Sequence, residues 1–426
     1  MMSPEIPEIL KGRLQRPVAV LGAGVSGEGA ASLVTRLGSL AITYDRDEVA
    51  FTEASARGHD LVVYSPGFPP LHPWLEIGRK AGCLCLSEID FASLFWRGRL
   101  IAVTGTNGKT TLTEFLVHAL RSVGGRAVAA GNIGTPLSQV VLDEDGGSAD
   151  TVAVCEVSSF QAELLGHLRA EALLWTNFAE DHLERHGSLD NYFDAKAELV
   201  ARTAPGAVFV GTSVAGYADL MGRDLAQACR CASEGQAPDP HLAGSVFEHY
   251  PQRENFILAA AWWKATGREE RALYAAASTF ALGRHRLARV ATVGQVTYWN
   301  DSKATNFHAV EAAILGFASP VVLIAGGRAK GGDIGGFVRR IAPRVSHAAL
   351  MGETGPALAA TCALCGVSHT LCASLEEAVR VAAANAKPGG NVLLSPGFAS
   401  FDMFQSYQDR GDRFERAVAE LSTAPV

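Results

Sequence analysis

The residues best equipped for chemistry in this 426-residue chain are Gly105-Thr106-Asn107-Gly108-Lys109-Thr110-Thr111. Two glycines and an asparagine allow a tight turn in which successive backbone N–H groups face one anion. Lys109 adds positive charge, and the Thr110 hydroxyl is a hard-oxygen ligand for Mg²⁺. This is a phosphate-binding loop in variant form, because Val103 stands where the full pattern carries its first glycine. Glu156 ends the apolar run 151–155 and reads either as a partner of Thr110 on Mg²⁺ or as a helix-capping carboxylate. His182 stands a few residues past the run 172–176, as a ligand or as a hydrogen-bonded surface group. Lys196, on a helix that starts near Tyr192, reads from its spacing as a solvated lysine.

A second glycine loop, Gly22-Ala23-Gly24-Val25-Ser26-Gly27, lies between the apolar run 17–21 and a small-residue helix to about residue 37. Asp45 ends the next strand, at the distance where a dinucleotide fold places its ribose-binding acid. Alone, this pair points to an NAD-dependent oxidoreductase, but the geometry asks only for a backbone that can approach a pyrophosphate.

These loops need elements to hold them, and the chain supplies strands at 41–44, 61–64, 101–104, 206–211, 296–299, 320–325, 348–351 and 391–394, with helical patterns between them. Asn255 opens a hydrophobic helix over 256–264, and a second runs from about 269 to 280. Alternating strands and helices predict an α/β fold with parallel sheets and ligands at the strand C-termini. A unit closes near Arg97, and Gly283 marks another boundary. Segment 222–240 reads as a variable edge.

Composition narrows the function. Hydrophobic residues make up 48% and charged residues 19%, with a net charge of −7, which fits a soluble enzyme and argues against a nucleic-acid or anionic-membrane binder. No apolar run reaches the ~20 residues of a membrane span, so a cytoplasmic protein is expected. The eight cysteines lack paired metal spacing and read as reduced thiols.

The motifs in order are GTNGKTT, GNIGTP (131–136), EVSSFQ (156–161), NFAEDH (177–182), Ala195-Lys196, His285-Arg286, NDSKATN (300–306), GGRAK (326–330) and LLSPGFASFD (393–402). In sequence and spacing they resemble the Mur ligases of peptidoglycan synthesis, over almost the whole chain. The resemblance implies three domains: a Rossmann-like domain over 1–97 for the UDP end of the substrate, a central P-loop ATPase domain with a mostly parallel sheet over 98–283, and a C-terminal Rossmann-like α/β domain over 284–426 for the amino acid. It implies an ATP-dependent ligase, acting as a monomer, that phosphorylates the carboxylate of UDP-N-acetylmuramoyl-L-alanine and joins it to D-glutamate. An Arg-containing DNP-type motif, typical of the ligases for diamino acids, is missing, which favours D-glutamate. The alternatives are another Mur or folylpolyglutamate-type ligase and, from other classes, the oxidoreductase or a nucleotide-binding module without chemistry.

The resemblance also assigns residues. ATP falls to Gly105, Thr106, Asn107, Gly108, Lys109, Thr110, Thr111, Asn255, Arg286 and Asp301. Two Mg²⁺ ions fall to Thr110 and Glu156, and to His182 and Lys196, the last carbamylated so that an ammonium becomes an anionic oxygen ligand. Lys109, Glu156, His182 and Lys196 form the catalytic set. The UDP substrate falls to Gly22, Gly24, Val25, Ser26, Asp45, Arg46, Ser65, Asn132, Ser158 and His182. D-Glutamate falls to Lys303, Thr305, Lys330, Ser400 and Tyr407. The chain departs from the pattern at Pro251-Gln252, which replaces a His-Asn pair, at Tyr407, often Phe, and at Asp45-Arg46-Asp47, which lacks a threonine.

Overall fold

The computed structural model describes residues 5–225, 228–231, 238–329 and 331–423. Two compact units divide them: the first takes its residues from 1–178, 190–237 and 254–279, the second from 179–189, 238–253 and 280–426.

The first unit contains two sheets. Strands β1 (Val18–Leu21), β2 (Ala41–Tyr44), β3 (Leu61–Tyr64) and β4 (Leu84–Ser87) pair in parallel in the order β2-β1-β3-β4. Strands β5 (Arg99–Thr104), β6 (Arg126–Gly131), β7 (Thr151–Glu156), β8 (Ala172–Trp175), β9 (Val208–Gly211) and β10 (Cys229–Cys231) form a second parallel sheet, ordered β10-β9-β8-β5-β7-β6. Every residue of β1, β3, β7, β8 and β9 is buried. Both faces are therefore covered, which is why these stretches read as continuous apolar runs rather than alternating ones. In each sheet the winding direction reverses beside the strand that carries a glycine loop: β1 lies between β2 and β3, and β5 between β8 and β7. Such a reversal opens a crevice at the strand C-termini, and both loops stand there.

The second unit holds β11 (Ala288–Val293), β12 (Val296–Asn300), β13 (Val321–Gly326), β14 (Val345–Met351), β15 (His369–Leu371) and β16 (Asn391–Leu394), ordered β11-β12-β16-β13-β14-β15. Alternate residues of its central strands face two cores. Leu323, Ala325 and Leu393 enter one, with Phe337 and Phe398; Val322, Ile324 and Leu394 enter the other, with Phe414 and Val418.

This sheet corrects the expectation of parallel pairing throughout, since β11 runs antiparallel to β12. The two-residue connection Gly294-Gln295 has positive φ at both positions (56° and 67°), the backbone that lets a hairpin close with the strand twist. Gln is an uncommon residue for that role, so the turn carried little signal. Asn255 also does not open its helix, which spans Gln252–Ala265 and places Asn255 in its first turn. Among the described residues no helix is long and apolar enough to cross a membrane. All eight cysteines are free.

Candidate functional site

Gly105 has φ 142° and Gly108 φ 81°, backbone that L side chains rarely adopt. Gly108 is the N-cap of the helix Lys109–Ser122, so the N–H groups of the first turn lack intrahelical partners and point out of the loop. Leu112, Phe115, Leu116, Ala119 and Leu120 bury the other face of that helix and fix its axis. The loop is clamped from β8 onward: Asn177 Oδ1 accepts from Asn107 N (2.9 Å), Asn177 Nδ2 donates to Asn107 O (3.1 Å), and Thr176 Oγ1 donates to the same carbonyl (2.6 Å). Thr176 and Asn177 are working residues to which sequence reasoning gave no role. Their signal was two polar side chains at the end of an apolar strand.

Lys109 Nζ donates to the carbonyls of Gly105 (3.0 Å) and Thr106 (2.9 Å). Thr110 Oγ1 donates to Glu156 Oε2 at 2.7 Å, while Asn132 Nδ2 donates to Glu156 Oε1 at 2.9 Å. Thr110, in the first turn of the helix after β5, and Glu156, at the end of β7, are thus joined, while Asn132, expected on the UDP-substrate side, also bonds to Glu156 from the end of β6. The hydroxyl and the carboxylate are hard-oxygen donors of the kind Mg²⁺ takes beside phosphates, and the Asn132 amide N–H steadies the carboxylate.

Lys196 is not a solvated lysine. It is 1% exposed, its Nζ donates to Gly105 O at 2.8 Å, and it lies 4.8 Å from the centre of the Tyr192 ring. Burial turns the helix that carries it toward the phosphate loop, a placement that spacing alone cannot reveal. Thr106 Oγ1 stands 3.3 Å from the Tyr192 hydroxyl, and Thr111 is buried beneath the loop. Asn255, 3% exposed, reaches the loop from its own helix: a Cβ at Gly108 would stand 2.7 Å from Asn255 Oδ1. The residue expected at adenine therefore touches the phosphate loop.

At the other glycine loop, Gly22 (φ 98°) leaves no room for a side chain, because a Cβ would meet Ser65 Oγ at 2.8 Å. Ser65 Oγ is buried with no hydrogen-bond partner. Asp45 Oδ2 accepts from Ala23 N at 2.8 Å; that bond and one from Asp47 N hold its carboxyl below the ordinary range. Asp45 locks its own loop. Gly24 N-caps the helix Val25–Arg36, Val25 is 62% exposed at its first position, Ser26 is half-buried and Arg46 is exposed. Ser158 is a helix cap, accepting from Gln161 N at 3.2 Å.

The remaining expected residues belong to the second unit. His182, at φ 54°, takes a backbone bond from its N–H to Asp181 Oδ1 and has Glu184 3.5 Å from its Nδ1. His182 and Thr305 line one pocket of about 290 Å³ with Asp181, Asn306, Asp333 and Arg340. Ser400, Lys303 and Tyr407 do not line it. Ser400 is 2% exposed, and Lys303 Nζ lies 4.1 Å over the Tyr407 ring. Lys330 lies outside the described residues, as do 226–227 and 232–237 of the segment read as variable. Asp301 Oδ2 accepts from Ser395 Oγ (2.9 Å) and Oδ1 from Leu287 N (3.1 Å), so it ties the segment that carries Arg286. Burial pushes its carboxyl up to about 7, against those bonds and the charges of Arg286 and Arg410. Arg410, fully buried, donates to Ser302 Oγ and to the carbonyls of Ser302 and Phe398. No sequence pattern marked Arg410. Among the described residues no group of three or more His, Cys, Asp or Glu is arranged to hold a metal.

A phosphate loop at the reversal point of a parallel sheet, with a carboxylate and a hydroxyl at its mouth, defines a nucleotide-handling α/β enzyme. Residues 103–256 match the Mur ligase middle domain, and residues 285–398 the Mur ligase glutamate ligase domain. The chain belongs to the Mur ligase family. Among its relatives is the UDP-N-acetylmuramoylalanine--D-glutamate ligase of Geobacter metallireducens, 34% identical over 91% of this chain and 88% of the relative. That of Gloeobacter violaceus is also 34% identical, over 95% of this chain and 99% of the relative. In fold it is similar to the UDP-N-acetylmuramate-alanine ligase of Thermotoga maritima, with a TM-score of 0.59 at 14% identity, covering 95% of this chain and 99% of that one. The MurF ligase of Thermotoga maritima in complex with ADP gives a TM-score of 0.58 at 15% identity, over 87% and 97%.

Proposed function

We infer that the chain is an ATP-dependent ligase that adds D-glutamate to UDP-N-acetylmuramoyl-L-alanine. The observation that carries this is the similarity to D-glutamate ligases at 34% identity over 91% or more of the chain, in a chain whose Thr110 and Glu156 meet at the mouth of a phosphate loop. A carboxylate oxygen of the alanyl group attacks the γ-phosphorus of ATP and ADP leaves. The glutamate amine then attacks the acyl carbon, phosphate departs, and the nitrogen loses its proton to give the amide. Lys109 and the N–H groups of the helix Lys109–Ser122 hold phosphate oxygens, so positioning and charge neutralisation carry most of the rate. Thr110 and Glu156 would hold Mg²⁺, which supplies charge neutralisation between the carboxylate and phosphate anions.

The finer assignments are part of the same reading. His182 and Lys196 serve a second Mg²⁺, with Lys196 carbamylated; a carbamate keeps one N–H for the Gly105 carbonyl while adding two anionic oxygens. The Gly22–Gly27 loop with Ser65 takes the UDP end, and Thr305 with Lys330 takes D-glutamate. The domains run over 1–97, 98–283 and 284–426, in a monomer of the cytoplasm. The test is phosphate release from Mg·ATP with UDP-N-acetylmuramoyl-L-alanine and D-glutamate, L-glutamate or no amino acid. Release that needs both the nucleotide sugar and D-glutamate is expected. Release with a different amino acid would move the step within the family, and no release with any acceptor would refute the ligase.

A further inference from the structure

Asn132 holds Glu156, and the helix that follows the Asn132 loop is bonded from an element packed beside the first sheet. Glu88 opens the helix Glu88–Ser93 directly after β4 and is 1% exposed. Its Oε1 accepts from both Ser138 N (2.7 Å) and Ser138 Oγ (2.6 Å), while Oε2 is buried with no hydrogen-bond partner. Burial pushes this carboxyl up, against the two Ser138 bonds. A half-satisfied carboxyl at a buried seam is costly where an apolar side chain would pack freely, which asks what it does there.

Ser138 is the second residue of the helix Leu137–Asp143, immediately after the loop 132–136. The near end of that loop is tied to β7 and to itself, by Asn132 N to Glu156 O (2.9 Å) and Gly131 N to Thr135 O (2.8 Å). Glu88 ties the far end. The same short helix anchors twice, since Asp90 Oδ1 accepts from His167 N and Leu168 N, both at 2.8 Å. A second element presses on the same point: a Cβ at Gly29, in the helix that rises from the Gly22–Gly27 loop, would stand 2.6 Å from Ser138 Oγ and 3.0 Å from Pro136 Cγ. Two helices packed with the first sheet, Val25–Arg36 and Glu88–Ser93, thus meet at Ser138, two residues past the Asn132 loop.

We propose that Glu88 is a positioning residue for the nucleotide site: through Ser138 it fixes the loop 132–136, so that Asn132 holds Glu156 toward Thr110. This rests on the reading of Glu156 as the Mg²⁺ ligand. It makes the first sheet part of the ATP site's support.

The test is ADP binding by the full chain, titrated with Mg²⁺ and read by calorimetry, for the wild type, Glu88→Met, Glu88→Gln, Asn132→Ala and the double variant Glu88→Met with Asn132→Ala. Loss of both Ser138 bonds predicts a rise on the order of tenfold in the Mg²⁺ concentration for half-saturation in Glu88→Met. Glu88→Gln keeps the accepting oxygen and should stay within about twofold of wild type. In the Asn132→Ala background Glu88→Met should add less than about twofold, because its route is already cut. An unchanged Mg²⁺ response in Glu88→Met, or an equal shift in both backgrounds, overturns the proposal. If Glu88→Met does not fold, Gly29→Ala replaces it: Ala favours the helix, yet its Cβ displaces Ser138, so the same Mg²⁺ shift supports the route and no shift overturns it. Binding needs no turnover, so a wild type that binds Mg·ADP but releases no phosphate would sink the ligase reading alone. ADP binding that ignores Mg²⁺ would sink the positioning role.

Discussion

Replacing Asp301 by Asn isolates one buried ionisation. The carboxyl stands at about 7 against an ordinary 3.8, with desolvation as the largest cause. The native chain therefore keeps this proton from about pH 4 to 7, whereas the unfolded chain has released it, and stability falls as pH rises through that window. Above about 7 both states are ionised and the loss levels off, at about 4 kcal/mol in full and about 2–3 kcal/mol between pH 5 and 8. Asn preserves the geometry, because its Oδ1 can accept from Leu287 N while its amide donates to Ser395 Oγ, whose proton can turn away. The assay is urea unfolding of the wild type and Asp301→Asn at pH 5, 6, 7 and 8, with equal m-values required before midpoints are compared. Asp301→Asn should gain on the wild type by about 2–3 kcal/mol as pH goes from 5 to 8. A constant difference would refute the reasoning. It would mean that the bonds from Ser395 and Leu287, with Arg286 and Arg410 nearby, outweigh burial and keep the carboxylate ionised throughout.

Gly108→Ala puts a Cβ 2.7 Å from Asn255 Oδ1 at φ 81°; the left-handed backbone alone costs about 1–2 kcal/mol. A roughly tenfold rise in the KM for ATP is expected, with the KM for D-glutamate unchanged, and steady-state kinetics decide. For Lys196, stripping CO₂ and bicarbonate should lower activity and bicarbonate should restore it, with ¹³C-bicarbonate giving a carbamate resonance lost in Lys196→Ala. Activity indifferent to bicarbonate, with no such resonance, would leave Lys196 an ammonium on the Gly105 carbonyl.

Much of this was legible in the sequence where backbone chemistry dictates local form. Gly105 and Gly108 announce positive φ, the apolar runs of β1, β5 and β7 announce strands covered on both faces, and Glu156 falls one residue beyond such a run. What depends on how a helix rolls onto its sheet was not legible. Lys196 looks like any surface lysine until Tyr192 and Phe193 bury the face it shares. Arg410 sits in a helix of mixed polarity, and only the fold brings Ser302 to it. Asp45 had the right spacing for a ribose, yet spacing does not say that Ala23 N–H reaches the carboxylate first. The hairpin β11–β12 escaped notice because its turn is Gly-Gln rather than Asn-Gly.

The phosphate loop also shows how a site is kept in order before its ligand arrives. Lys109 rests on two loop carbonyls, Thr110 on Glu156, and Lys196 on Gly105 O, so each of these groups already has a partner in the folded site. A ligand does not have to order these side chains, because their rotamers are already held; it has only to exchange partners. Thr110 and Glu156 would be the residues to hold a cation here; the Thr110 hydroxyl would then turn its proton away from the carboxylate, and the cation would supply charge neutralisation in place of that bond. The 2.7 Å hydrogen bond thus holds both oxygens together in advance. That exchange makes Asn132 matter: when Thr110 turns, the amide at 2.9 Å still holds Glu156 in place.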